Sequence, residues 1–199
     1  MISVCSPLEA RLPTALALGS FDGLHAGHRS VIEAITNKEL GIPTVVSFWP
    51  HPREVLYGES RLRLYLPSEK ALLLEPLGIK QLVLVPFDRS LASLSANEFF
   101  HQVLLNNLQA KHIAVGANFR FGKNRDGDAS TLKELGKSSG VKITVIDIIK
   151  DDKGRMSSSC FIIHLAYLRS LVEPRLFSEA VFLVDIPYTN QRTYQENPS

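Results

Sequence analysis

Hydrophobic and polar positions along the chain alternate between two patterns. Short, almost wholly apolar stretches rich in Val, Ile and Leu occupy residues 14–18, 43–48, 81–85, 112–115 and 141–149. Continuous rather than alternating apolar character predicts strands covered on both faces, as in a parallel sheet. Between them lie segments with helical spacing at 28–36, 68–77, 97–108 and 130–138. Ser95 stands three residues before Glu98 at the head of the third segment, the arrangement of a capping box. Asp128 is placed to cap the fourth. Strand and helix in repeated succession predict an α/β fold with a mostly parallel sheet of about five strands. Residues 160–170 form an apolar run of helical character that Pro174 interrupts, and 189–199 read as a polar, disordered tail. The expected division is one domain over 1–160 and a divergent C-terminal helix and tail over 161–199.

Composition adds mainly exclusions. A length of 199 residues suits one domain with a substantial core. The net charge of +2 is too small to argue for nucleic acid or an anionic membrane as a partner. No apolar run reaches the roughly 18–20 residues of a membrane span, and Met1 to Arg11 lack the pattern of a secretory leader. Cys5 and Cys160 allow one disulfide at most and match no zinc spacing. A cytoplasmic protein is expected, its oligomeric state left open.

The chemistry concentrates after the first predicted strand, in Gly19-Ser20-Phe21-Asp22-Gly23-Leu24-His25-Ala26-Gly27-His28. Ligands of open α/β sheets bind at the carboxyl ends of strands, and the glycines at 19, 23 and 27 allow close backbone approach. His28 falls in the first turn of a helix, where free N–H groups attract anions. His25 and His28 can both donate N–H groups to phosphate oxygens; the plainer reading is a Gly-rich turn with two exposed histidines.

The string His25-Ala26-Gly27-His28 resembles the HxGH signature of a nucleotidyltransferase superfamily, and the wider GSFDGLHAGH is similar to the GxFDGxHxGH of bacterial FAD synthetases. The resemblance implies a Rossmann-like nucleotidyltransferase fold and transfer of AMP from ATP to FMN, with release of pyrophosphate. It implies catalytic roles for His25 and His28 at the ATP phosphates. It further implies nucleotide binding by Gly19, Phe21, Asp22, Gly23 and Gly27. Mg²⁺ is expected with ATP, its ligands unassigned.

Two further segments carry the same resemblance. Phe48-Trp49-Pro50-His51-Pro52 is similar to the family's FxPHP, which places His51 and Pro52 beside the flavin. The residues themselves suggest a rigid extended turn, since two prolines restrict the backbone. Gly116-Ala117-Asn118-Phe119-Arg120-Phe121-Gly122 runs into a charged loop that closes on Asp128, and resembles GxDFRFGxxxxGD. The resemblance assigns Asn118, Phe119, Arg120, Phe121 and Asp128 to flavin binding, with an amide at 118 where an aspartate is usual. Read as residues, Phe119 and Phe121 suit either an aromatic ligand or the core, and Asp128 suits a helix cap.

Towards the end the pattern departs. The family's ISSTxIR, which brings hydroxyls and an arginine to the ATP phosphates, corresponds to Met156-Ser157-Ser158-Ser159-Cys160-Phe161-Ile162. Ser157, Ser158 and Ser159 keep the hydroxyls and so join the nucleotide-binding set. Ile162 stands at the arginine position, and an apolar side chain cannot fork onto phosphate. Such a loss corresponds to about 3 kcal/mol of transition-state stabilisation, by analogy with a lost oxyanion donor. Family likeness stops beyond Ser159, and the riboflavin kinase domain usual in these proteins is not expected in this chain. A truncation or a shift of reading frame near residue 160 accounts for both. Two other functions stay open: a catalytically impaired flavin- or ATP-binding remnant, and a nucleotidyltransferase with another acceptor, such as pantetheine phosphate or nicotinate mononucleotide.

Overall fold

The computed structural model describes residues 2–22, 24–36, 40–58, 65–147, 150–151 and 154–155. In chain order the first elements are β1 (Ser3–Cys5), β2 (Thr14–Leu18), α1 (Ala26–Glu33), β3 (Ile42–Trp49), α2 (Pro52–Tyr57), α3 (Pro67–Leu74) and β4 (Gln81–Pro86). There follow α4 (Arg89–Ser93), α5 (Ala96–Phe99), β5 (Ala110–Gly116), β6 (Arg120–Phe121), β7 (Gly127–Asp128) and α6 (Ala129–Ser139). The last are β8 (Lys142–Ile146), β9 (Lys150–Asp151) and β10 (Gly154–Arg155).

Six strands form one parallel sheet in the order β1-β4-β3-β2-β5-β8. After β1 at one edge the chain passes to β2 near the middle, steps back towards that edge through β3 and β4, then crosses over to place β5 on the other side of β2. The strand order therefore reverses between β2 and β5. In open α/β sheets the crevice at such a reversal, outside the carboxyl ends of the strands, is where ligands bind.

Both faces of the sheet are buried, which explains why its strands read as unbroken apolar runs. Leu16, Leu18, Val46, Val83, Ile113 and Val115 meet Phe99, Phe100 and Leu104 of the α5 region and Leu132 of α6 on one face. Ala15, Ala17, Val45, Leu82 and Ala114 meet Val31 and Ile32 of α1 and Ala71 and Leu74 of α3 on the other. Successive residues of one strand thus serve opposite layers.

The structure extends the sequence reading in several places. It adds β1 as a sixth strand, parallel to β4 at the sheet edge. Only three residues long and largely exposed, β1 carries no apolar run to signal it. The segment around Pro52, expected to be an extended turn, instead opens α2: proline's fixed φ and missing N–H suit a first helical position. Helix α1 starts at Ala26 and ends at Glu33, two residues before and three residues before the expected limits of 28 and 36. The helix expected over 68–77 ends as α3 at Leu74 and tightens into a 3₁₀ turn over Glu75–Leu77, where Pro76 supplies no N–H. The helix expected over 97–108 is α-helical only through Phe99 and continues with i→i+5 bonding through Phe100–Asn107. The expected helix and tail over 161–199 lie outside the described residues.

The Ser95 cap is present: Glu98 N donates to Ser95 Oγ at 3.2 Å, and Ser95 N donates to Glu98 Oε2 at 2.8 Å. Ser95→Ala is expected to cost about 1 kcal/mol of stability. Denaturant unfolding at fixed pH measures it, and an unchanged midpoint would show that the cap contributes nothing.

Candidate active site

The first loop is shaped by its aromatic residue. After Leu18, Gly19 N donates to Val46 O at 3.2 Å and keeps the backbone on the line of the sheet. Phe21 then adopts φ 46°, a left-handed conformation unusual for a bulky side chain. Its ring is buried and lies 5.2 Å from the His28 ring at 53°. A Cβ at position 19 would come within 3.2 Å of Phe21 Cε2, so glycine gives that ring its space.

Helix α1 begins immediately behind the loop, and His25 is its N-cap. The His25 Nδ1 accepts the His28 backbone N–H at 3.4 Å, and the two imidazoles stack with centroids 3.8 Å apart. Because Nδ1 accepts, the neutral ring carries its proton on Nε2, which makes that nitrogen a donor. Burial holds the His25 pKa below the ordinary histidine value and so favours the neutral ring at pH 7.

His112, buried in β5 with Nε2 2.8 Å from Thr144 Oγ1, is also held low, by burial first and by Lys142 second. For both histidines the folded-state pKa lies below the unfolded one. The stability their neutral rings contribute is complete above the unfolded value of about 6.5 and is lost as pH falls through it. The melting temperature is therefore expected to drop between about pH 7.5 and about pH 5.5. A flat profile over that interval would contradict the assignment.

At the carboxyl end of β3, His51 caps α2, its Nδ1 accepting the Arg53 N–H at 3.2 Å while Pro52 fills the first helical position. The peptide between Trp49 and Pro50 is cis. At the end of β5, Phe119 N closes a turn onto Gly116 O at 2.9 Å, and the Phe119 and Phe121 rings stack 5.6 Å apart. Phe121 is buried against Phe99, whereas Phe119 is half-buried and Asn118 exposed.

Strands β6 and β7 pair Arg120 opposite Asp128, and Arg120 Nη1 reaches Asp128 Oδ2 at 2.7 Å. The other carboxylate oxygen of Asp128 accepts the Ser130 and Thr131 N–H groups, each at 2.9 Å, at the start of α6. Hydrogen bonds from Ser130, then Thr131, then Arg120 hold this carboxyl far below the usual carboxylate range. Arg120 and Asp128 therefore tie the loop into a closed hairpin anchored on a helix.

Three of the expected groups thus gather at the carboxyl ends of the neighbouring strands β3, β2 and β5: His51 and Pro52; Gly19, Phe21, Asp22, His25, Gly27 and His28; and residues 118–121. Gly23, Ser157, Ser158 and Ser159, like Ile162, lie outside the described residues. Two participants were not anticipated. Lys70 of α3 donates from Nζ to Ser20 O at 2.7 Å, and Ser47 of β3 donates from Oγ to the same oxygen at 3.2 Å. The sequence holds a weak sign of the first, a lysine set against the core-facing Ala71 and Leu74. No helix among the described residues is long and apolar enough to cross a membrane.

A parallel sheet reversing beside β2, with a stacked histidine pair opening the helix that follows, defines an α/β nucleotidyltransferase-type fold. The solved structure of a Streptococcus pneumoniae protein described as a macrolide-efflux protein is similar, with a TM-score of 0.69 and 26% identity over 80% of this chain and 56% of that one. Residues 8–160 match the model of the FAD synthetase family, and the chain belongs to that family. A FAD synthetase of Listeria monocytogenes is 31% identical over 92% of this chain and 73% of its own length. The bifunctional riboflavin kinase/FMN adenylyltransferase of Escherichia coli K12 is 34% identical over 72% of this chain. That of Pseudomonas fluorescens is 32% identical over 71% of it. The chain spans 47% of the length of each of these two bifunctional relatives.

Proposed function

We propose that the chain is an FMN adenylyltransferase, moving AMP from ATP to FMN to give FAD and pyrophosphate. The observation that carries this reading is the stacked His25–His28 pair capping α1, at the strand end beside the sheet's reversal point. An oxygen of the FMN phosphate forms a bond to the α-phosphorus of ATP as the bond from that phosphorus to the bridging oxygen breaks, and pyrophosphate leaves with the electron pair. The FMN phosphate has a second pKa near ~6 and is mostly dianionic at neutral pH, so the attack needs no general base. Catalysis rests on positioning and on stabilising charge. The neutral His25 ring, donating from Nε2, and His28 beside it meet the phosphate oxygens at the helix N-terminus.

Mg²⁺ enters this scheme as the ATP complex. Such an ion takes phosphate oxygens, water and one or two carboxylates. Among the described residues no three His, Cys, Asp or Glu side chains form a metal cluster. Asp22, half-buried in the loop, would supply a carboxylate to an ion carried by the triphosphate. Held there, the ion would supply positive charge to the phosphate oxygens.

On the flavin side, Phe119 is the ring with surface to offer a stacked isoalloxazine, and the buried Phe121 supports it from behind. His51 borders this side from the end of β3. The hydroxyls of Ser157, Ser158 and Ser159 complete the nucleotide side in this reading. A cytoplasmic setting, where ATP is held at substrate concentrations, goes with it. The test is a discontinuous assay for FAD and pyrophosphate from ATP and FMN with Mg²⁺. FMN binding without FAD formation under saturating ATP would overturn the activity, as would turnover of pantetheine phosphate but not FMN.

A further inference from the structure

We infer that Lys70 is a positioning residue for the histidine pair, holding through the Ser20 carbonyl the strained turn that backs His28. The inference rests on the adenylyltransferase reading above for its kinetic consequence, but not for its structural one.

The geometry is specific. Lys70 lies on α3, outside every segment that carries the family motifs, yet its side chain is nine-tenths buried and its Nζ donates to Ser20 O at 2.7 Å. Lysine is almost never buried unless its ammonium is well satisfied. The same carbonyl accepts Ser47 Oγ at 3.2 Å, so both lone pairs of one backbone oxygen take side-chain donors, one of them charged. Ser20 is the residue before Phe21.

That placement matters because the Ser20–Phe21 peptide is trans and planar. Fixing its carbonyl fixes its whole plane, and the plane is one determinant of the φ of Phe21. At 46° that φ lies in a region bulky residues leave unless their surroundings over-determine it. Here three constraints act together: the Lys70 ammonium, the Ser47 hydroxyl and the burial of the Phe21 ring. The Phe21 ring in turn lies against His28. Lys70 therefore acts on the site through the backbone, the turn and then the aromatic ring, without touching a reacting atom.

The experiment combines hydrogen exchange with kinetics on the full chain. Lys70→Met is expected to speed amide exchange in peptides spanning 19–28 while the β4 peptide keeps its protection. It should lower kcat by about tenfold, the loss expected when one well-placed contact is disturbed, with the KM for FMN changed by less than about twofold. Lys70→Arg, which keeps a charged donor, should retain more of kcat than Lys70→Met. In the His28→Ala background Lys70→Met should cost almost nothing further, because its route to the chemistry runs through that ring.

Unchanged exchange at 19–28, or losses that multiply in the double variant, would overturn the inference. If Lys70→Met raises exchange everywhere, Ser47→Ala carries the test, since it removes the second donor to the same oxygen. A rise confined to 19–28 then supports the tie, and no rise overturns it. Should the unsubstituted chain make no FAD, the adenylyltransferase reading fails, while the exchange measurement still decides the role of Lys70.

Discussion

His28→Ala is expected to lower kcat for FAD formation by about 10²–10³-fold, the loss seen when one preorganised donor to a developing negative charge is removed. FMN binding should change little, because the proposed mechanism puts this ring with the phosphates and the flavin beside the ends of β3 and β5. The imidazole stacks on His25 and packs against Phe21, so its removal also leaves space in the first turn of α1. That cost is modest for a half-buried side chain and should appear as a small drop in melting temperature. Steady-state kinetics together with FMN titration by fluorescence separate the two effects. Equal losses in turnover and in FMN affinity would make His28 a structural residue.

The second large effect is expected at Gly122, where the backbone takes φ 76° between Phe121 and the loop over Lys123–Arg125. A Cβ there would lie 2.6 Å from Ala96 N and 2.9 Å from Ala96 Cα, and would also meet Asp126 Oδ1. Backbone atoms at the head of α5 cannot yield as a side chain tip can. Gly122→Ala therefore combines a conformation alanine avoids with a collision against a capped helix, and a loss of at least about 3 kcal/mol is expected. Because Lys123 N donates to Leu94 O at 2.7 Å, the strain is delivered to the junction between the hairpin and α5. FMN affinity should fall together with stability, measured by titration and by denaturant unfolding. A variant of normal stability and normal FMN affinity would show that the loop is not part of the flavin side.

Much of the architecture was legible because a doubly covered parallel sheet writes a simple pattern. The runs at 14–18, 43–48, 81–85 and 112–115 stand out since each successive side chain meets a helix layer on one face or the other. Where only part of that condition holds, the pattern weakens. The strand β1 is short and mostly exposed, and α2 starts on a His-Pro pair that looks like a turn until His51 is seen to cap it. The motif residues were legible as types, and the topology explains their company: loops far apart in sequence leave the same end of three adjacent parallel strands.

What stayed hidden were relations through backbone or across short hairpins. The partner of Lys70 is a carbonyl, which has no residue identity for a sequence to display. The resemblance presents Arg120 and Asp128 as separate flavin contacts and the residues present Asp128 as a helix cap; only the pairing of β6 with β7 shows that the two bind each other.

One nitrogen links the local architecture of the site to acidity. The His25 Nδ1 that closes the first turn of α1 is also the atom a second proton would occupy. Acid would turn that acceptor into a donor facing the His28 amide, so the charged imidazole must either release the turn or stay unformed. The gain of positive charge that would draw a triphosphate more strongly is thus opposed by the fraying of the very turn that presents both rings.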